Sequence, residues 1–266
     1  MDRTPQRLRH DTRIRVLDVV AVTDITPRMR RVTLSGEQLA GFSSPGHADH
    51  IKIFFPEPGQ PPVLPELGPE GLRFPPDRPR PQMRDYTPRL HDPVANTLAI
   101  DFVLHGDGPA ASWAAQAAIG QRLVIGGPRG SLIVPLAFDW YFLAGDETGI
   151  PAIARRLEEL PEGARAVAVI EIEDAHEQQP LPTRADLALA WVHRNGAPAG
   201  TTSVLLDAVS ALHALPPGDG YAFIAAEANS SRAVRAHLTE ARGFNPEWVK
   251  AAGYWLHGVA DAHEPH

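Results

Sequence analysis

Near Asp139 the rhythm of the chain changes, which divides it into two folding problems. Before that point short runs of apolar and β-branched residues alternate with polar ones between turn residues, as in Arg13-Ile14-Arg15-Val16-Leu17, Arg30-Arg31-Val32-Thr33-Leu34, His50-Ile51-Lys52-Ile53-Phe54-Phe55 and Thr97 to His105. A period of two between turns marks antiparallel strands. After Asp139, continuous apolar runs at 140–144, 166–172, 188–193 and 221–226 alternate with helical stretches at 150–160, 203–215 and from a cap at Asn229 or Ser230 to Arg242. Buried strands alternating with helices predict a parallel sheet covered on both faces. The expected fold is a six-stranded antiparallel β-barrel over residues 1–136, followed by a doubly wound parallel α/β domain over 137–266.

Composition supports two cored domains and removes several chemistries. With 43% hydrophobic residues in 266, burial is ample. A net charge of -7 argues against nucleic acid and against stable membrane association, since both call for a strongly positive face. There is no cysteine, hence no disulfide, thiolate nucleophile or cysteine-ligated iron–sulfur cluster, so redox chemistry would need a bound cofactor. The first fifteen residues are polar, and no apolar run is long enough to span a bilayer, so the expected location is the cytoplasm. Ten prolines between Pro56 and Pro81 exclude a helix or central strand there and predict a long surface excursion.

Several short patterns carry chemistry. Arg84-Asp85-Tyr86-Thr87-Pro88-Arg89 gathers two guanidinium groups, an aromatic ring and a small hydroxyl, a set suited to a flavin nucleotide and also compatible with a half-exposed strand. Strand alternation sets Asp101, Val103 and His105 on one face and Phe102 and Leu104 on the other, as a lined site or as a solvated barrel face. Gly106 to Trp113 reads as a glycine-rich turn opening a helix at Pro109, where free N–H groups suit an anion. Gly126-Gly127-Pro128-Arg129-Gly130-Ser131 is a second turn with an exposed cation. At the strand ends of the second half, the turns Gly145-Asp146-Glu147-Thr148-Gly149 and Ala226-Glu227-Ala228 should lie side by side near a ligand. His47, Asp49 and His50 read as solvated turn residues rather than a metal site. The three-glycine dinucleotide fingerprint, a hydrolase elbow and a catalytic triad are all absent from the sequence.

Taken in order, these patterns resemble the siderophore-interacting proteins, flavin-dependent ferric-siderophore reductases of the ferredoxin-reductase-like superfamily. The resemblance rests on Arg84-x-Tyr86-Thr87, Asp101 to Gly106 with Gly108-Pro109-Ala110 and Trp113, Gly127 to Ser131, Leu143 to Thr148 and Gly253-Tyr254-Trp255. It implies FAD in the barrel, with Arg84 on the phosphates, Tyr86 against the ring and Thr87 near its redox edge. It further implies that Asp101, Phe102, Val103 and His105, with Gly108, Pro109, Ala110, Ser112 and Trp113, line the remaining cofactor. Gly145, Asp146, Glu147, Thr148 and Glu227 would serve the side facing NAD(P)H or another donor, ferredoxin among them.

Trp255 either shields the flavin or is a core aromatic. Lys52, Arg129 and Lys250 would draw in an anionic ferric siderophore, or are solvated charges. Arg155, Arg156, His193 and Arg194 either meet a nucleotide 2′-phosphate or face solvent. The implied activity is reduction of a ferric siderophore to release Fe(II). Two other readings stay open: an NAD(P)H:flavin or diaphorase-type oxidoreductase with another acceptor, and a non-catalytic siderophore- or flavin-binding module.

Overall fold

A computed structural model describes residues 2–57, 59–69, 71–106 and 108–259. Asp107, within the expected glycine-rich turn, and Pro58 and Glu70, within the proline-rich excursion, lie outside the described residues. The chain divides into two compact units, Pro5–Ile133 and Val134–His266 together with Met1–Thr4.

The first unit is all-antiparallel. Its strands are β1 (Gln6–Arg9), β2 (Ile14–Thr26), β3 (Met29–Ser35), β4 (Ile51–Phe55), β5 (Glu66–Gly68), β6 (Gly71–Arg73), β7 (Gln82–Tyr86), β8 (Pro88–Asp92), β9 (Thr97–Val103), β10 (Arg122–Gly126) and β11 (Gly130–Ile133), with helix α1 (Pro109–Ala115) after β9. Seven of them form one sheet in the order β7-β4-β10-β2-β3-β9-β8. The two edge strands, β7 and β8, are consecutive in the chain with only Thr87 between them. Tyr86 and Pro88 can be at most about 7 Å apart, so the sheet must curl until its edges meet at Thr87. The expected antiparallel barrel is present with seven strands, because Thr87 splits one run into two edges. Alternate residues point inward, among them Leu17, Val32, Leu34, Ile53, Ile100, Phe102 and Leu123. The proline-rich excursion holds the short β5–β6 hairpin and contributes nothing to the main sheet.

The second unit has β12 (Trp140–Gly145), α2 (Ile150–Glu159), β13 (Arg165–Ile172), β14 (Asp186–His193), α3 (Val204–Ser210), β15 (Gly220–Glu227), α4 (Ala228–Ala236) and β16 (Val249–Trp255). The sheet is parallel throughout, in the order β14-β13-β12-β15-β16. From β12 the chain builds outward first to one side and then to the other, so the order reverses between β12 and β15, where open α/β sheets bind ligands. Helix α2 buries Ile150, Ile153, Ala154 and Leu157, the i, i+3, i+4, i+7 stripe of an amphipathic helix.

Three details differ from expectation. The strand 188–193 is not buried: β14 is an edge strand and half-exposed. Helix α3 stops at Ser210 rather than Leu215. Helix α4 is capped by Glu227, whose carboxylate accepts from Ser230 N at 3.0 Å, rather than by Asn229 or Ser230, and it loosens into a wider π-turn over His237–Ala241.

Candidate functional site

In the barrel unit the site is built around the seam. Tyr86 closes β7, and its ring lies 4.5 Å from Phe102 on β9 and 6.4 Å from Phe55 on β4. Trp113 of α1 joins them, 5.7 Å from Phe102 and 6.0 Å from Phe55. Four aromatic rings from four elements thus pack together at the barrel core: Phe55 and Phe102 are buried within it, so Phe102 does not line a cofactor as expected, and Tyr86 and Trp113 are half-buried against it. Burial pushes the Tyr86 phenol up, against a smaller opposing pull from Arg84, so it remains a neutral O–H donor. Arg84 is half-buried beside it and donates from Nη1 to the Met83 carbonyl at 2.7 Å. Thr87 is only 6% exposed, and its hydroxyl has no hydrogen-bond partner among the described residues. The hydroxyl oxygen is not sealed from solvent, so it is open to a ligand. A Cβ on Gly108, just before α1, would meet open space. Ser112 and Ala110 follow on α1, with Ala110 buried inward and Pro109 at the helix start.

Other residues expected to line the cofactor have structural partners. Asp101 on β9 faces Arg31 across the ladder, accepts from it at 2.6 and 2.8 Å, and has Arg89 at 4.0 Å. Its carboxylate is therefore occupied by two arginines, neither of which alternation alone had paired with it. Val103 is half-buried at the strand end, and His105 lies beyond it, exposed. His47 and Asp49 are not solvated turn residues: they are 2% and 4% exposed. Asp49 accepts from Gly46 N and Ser44 Oγ, both at 3.0 Å, and from Ser131 Oγ at 2.6 Å, while Ser131 Oγ lies 2.7 Å from His10 Nε2. This chain joins β1, β11 and the loop before β4. Among the described residues no group of His, Asp and Glu is arranged to hold a metal ion.

In the α/β unit the two expected turns do meet. Asp146 accepts from Thr148 N through Oδ1, and through Oδ2 from Glu227 N and Trp255 Nε1, both at 2.8 Å. One carboxylate thus ties together the ends of β12, β15 and β16. Burial pushes its pKa up, while the donated hydrogen bonds and the nearby Glu147 charge act as smaller influences. A Cβ on Gly145 or Gly149 would collide with the Ala225 carbonyl, so these glycines serve a close strand-to-turn approach. Glu227 is 1% exposed and caps α4. Trp255 is half-buried and held by Asp146.

Glu147, Glu171 and Glu173 surround Arg194, at 2.6, 3.2 and 3.3 Å. Burial raises Glu171 to about 7, with Arg194 opposing and the Asp146 and Glu147 charges adding to the rise. Arg194 is therefore neither solvated nor open to a phosphate. Arg156 is 1% exposed, donates to the Val134 and Pro135 carbonyls at 3.2 Å, and lies 4.7 Å from the Tyr141 ring centroid, so it too is structural. His193 Nε2 lies 3.2 Å from Gln178 Nε2.

The three proposed chelate-steering cations stand in different settings. Lys52 is paired with Asp85 at 2.7 Å, directly across the β4–β7 ladder. Arg129 is exposed, three residues after Gly126, the ladder partner of Lys52. Lys250 is the second residue of β16, at the amino end of that strand, and does not join the Asp146–Glu227–Trp255 group at its far end.

An antiparallel barrel followed by a parallel five-stranded α/β unit is the fold of the ferredoxin-reductase-like structures. A ferredoxin reductase in carbazole 1,9a-dioxygenase shares it at 15% identity and a TM-score of 0.62, covering 92% of this chain and 70% of that one, a likeness of fold alone. The chain belongs to the siderophore-interacting protein family. Residues 18–132 match the siderophore-interacting FAD-binding domain, and residues 138–258 match the siderophore-interacting protein model. An Escherichia coli relative, an NADPH-dependent ferric-chelate reductase, is 38% identical over 95% of this chain and 97% of its own length. The crystal structure of a siderophore utilization protein from T. fusca is similar at 40% identity and a TM-score of 0.89, covering 98% of this chain and 99% of that one. No helix among the described residues is long and apolar enough to cross a membrane.

Proposed function

We propose that this chain is an FAD-dependent reductase of ferric siderophores that takes its electrons from NAD(P)H. The observation that carries the proposal is the Thr87 hydroxyl, accessible and without a partner among the described residues at the barrel seam, in a chain whose residues 18–132 match the siderophore-interacting FAD-binding domain. Arg84 would hold the phosphates, Tyr86 would cover the ring, and Thr87 would hydrogen-bond its redox edge, with Gly108 to Trp113 lining the rest. Bound FAD supplies the exchange between a two-electron nicotinamide donor and a one-electron metal acceptor.

The protein's own part is positioning. Neutral Tyr86 and its aromatic neighbours exclude water from one side of the seam, and Arg84 supplies charge where phosphate is held. Asp85 offsets much of the charge of Lys52, so Arg129 would contribute more of the attraction for an anionic chelate. At the donor side, Asp146 and Glu227 fix the backbone of the two turns and leave main-chain groups, rather than their own carboxylates, to meet a nucleotide. Oxygen donors hold Fe(III) far more tightly than Fe(II), so reduction releases the metal and the protein needs no iron ligand of its own.

Anaerobic spectroscopy tests the reading. The purified protein should show a flavin spectrum that NADPH or NADH bleaches and that a ferric siderophore then restores. A protein without flavin overturns the cofactor assignment, and a bleached spectrum that ferric siderophores leave unchanged overturns the substrate assignment.

A further inference from the structure

The start of β2 buries an arginine that no acid among the described residues neutralises. Arg15 is 4% exposed, and its guanidinium donates only to carbonyls: Nε to Gln38 O at 3.0 Å, and Nη1 to Gly127 O at 3.0 Å and Arg13 O at 3.5 Å. Its carbon lies 5.3 Å from the Phe42 ring centroid. Among the described residues no carboxylate pairs with it, and Nη2 has no hydrogen-bond partner. Carbonyl dipoles and an aromatic face soften the desolvation of a buried cation without cancelling its charge. Burial, and then the neighbouring Arg13 charge, accordingly push its pKa down. Such an arrangement persists most easily where an anion from outside supplies the missing charge.

A place for that anion adjoins it. A pocket of about 170 Å³ is lined by Arg15 together with Arg13, His10, Asp11, Ser43 and Gly127. Arg13 is exposed and has no ion-pair partner among the described residues, and Ser43 offers an exposed hydroxyl. The Ser131 hydroxyl gives its hydrogen to Asp49, so His10 Nε2 donates to Ser131 and the imidazole is held against the pocket wall. Two arginines and one aspartate give the lining a formal net charge of about +1. A singly charged planar carboxylate balances that charge and accepts the forked donation of a guanidinium, whereas a phosphate dianion exceeds it and meets Asp11.

We propose that this pocket, formed by Arg13, Arg15 and Ser43 in the barrel unit, is a binding site for a carboxylate group. The site shares no lining residue with the Arg84–Thr87 seam and does not depend on the flavin reading. The carboxylate belongs either to a free organic acid or to a carboxylate arm of an iron chelate.

Isothermal titration of the full-length protein at constant ionic strength, with acetate, citrate and inorganic phosphate as probes, decides it. Saturable binding of acetate, with phosphate and the trianion citrate each about tenfold weaker or more, is the expected result. Arg13→Ala should weaken carboxylate binding about tenfold while leaving the melting temperature in ligand-free buffer unchanged. Arg15→Met should abolish binding where it folds, and Arg13→Ala decides the matter if it does not. Absence of saturable carboxylate binding, preference for phosphate, or equal affinity in Arg13→Ala would each overturn the proposal. Reduction assays separate the two sources: a chelate arm raises the KM of Arg13→Ala for ferric citrate and not for a ferric catecholate lacking carboxylates, whereas a free acid moves neither.

Discussion

Thr87 is held by the backbone on both sides, in β7 and in β8, yet its hydroxyl has no partner among the described residues. Its contribution to stability and its contribution to ligand binding can therefore be separated. Thr87→Val keeps the shape and removes only the hydroxyl, so the flavin-free protein should change in stability by less than about 0.5 kcal/mol. Flavin affinity should fall about tenfold, the worth of a single hydrogen bond in a dry site. Urea denaturation of the apoprotein and fluorescence titration with FAD measure the two quantities; a large loss of stability with unchanged FAD affinity would assign Thr87 to the barrel alone. Asp146 is the opposite kind of residue. Its two carboxylate oxygens face backbone N–H groups, a hydroxyl and an indole N–H, and the amide of Asp146→Asn would turn donors toward donors. That substitution should cost about 2–4 kcal/mol in chemical denaturation, and wild-type stability would show that the three strand ends do not need this tie.

At the scale of elements, the ends of β12, β13 and β14 are joined through Arg194, and the cluster has a pH signature. Glu171 titrates at about 7 in the folded chain and at an ordinary 4.5 when unfolded. Between these values the unfolded chain loses the proton while the folded chain keeps it. Stability contributed by the protonated side chain is therefore complete below pH 4.5 and is lost as pH rises through about 7. Glu171→Gln cannot ionise and should flatten that fall by about 1–3 kcal/mol. Denaturant midpoints at acid, neutral and mildly alkaline pH check it; parallel pH profiles for variant and wild type would refute the assignment. The same cluster explains why Arg194 could not be placed from sequence. Its principal partner, Glu147, lies 47 residues away and becomes a neighbour only when β12, β13 and β14 align in register.

For the whole molecule, the two architectures were legible because period and turn residues are local properties, and the change near Asp139 survives into the structure as a change from an antiparallel to a parallel sheet. The barrel seam was half legible: Arg84, Tyr86 and Thr87 stand together in sequence as the proposed ligand site by residue type, whereas the meeting of two sheet edges at Thr87 depends on strand order, which no short window contains. The pairings of Asp101 with Arg31, of Lys52 with Asp85 and of Asp49 with Ser131 were hidden for the same reason. So was the destination of the N-terminus. Arg3 donates from Nε to the Ala137 carbonyl at 3.0 Å and from Nη2 to Asp139 at 3.1 Å, pairs with Asp219 through Nη1, and lies 5.7 Å from the ring centroids of both Phe138 and Trp248. The first residues thus pack with the α/β unit, while the chain from Pro5 onward belongs to the barrel. Arg3 is partly solvated, so its ion pairs and cation–π contacts together should be worth about 1 kcal/mol. Arg3→Ala should lower the stability of the α/β unit by that amount and leave the barrel unchanged. Tryptophan fluorescence distinguishes the two, because Trp140, Trp191, Trp248 and Trp255 lie in the α/β unit and Trp113 in the barrel. A shift confined to hydrogen exchange of the barrel strands, with the fluorescence transition unmoved, would show that the N-terminal residues stabilise the other unit instead.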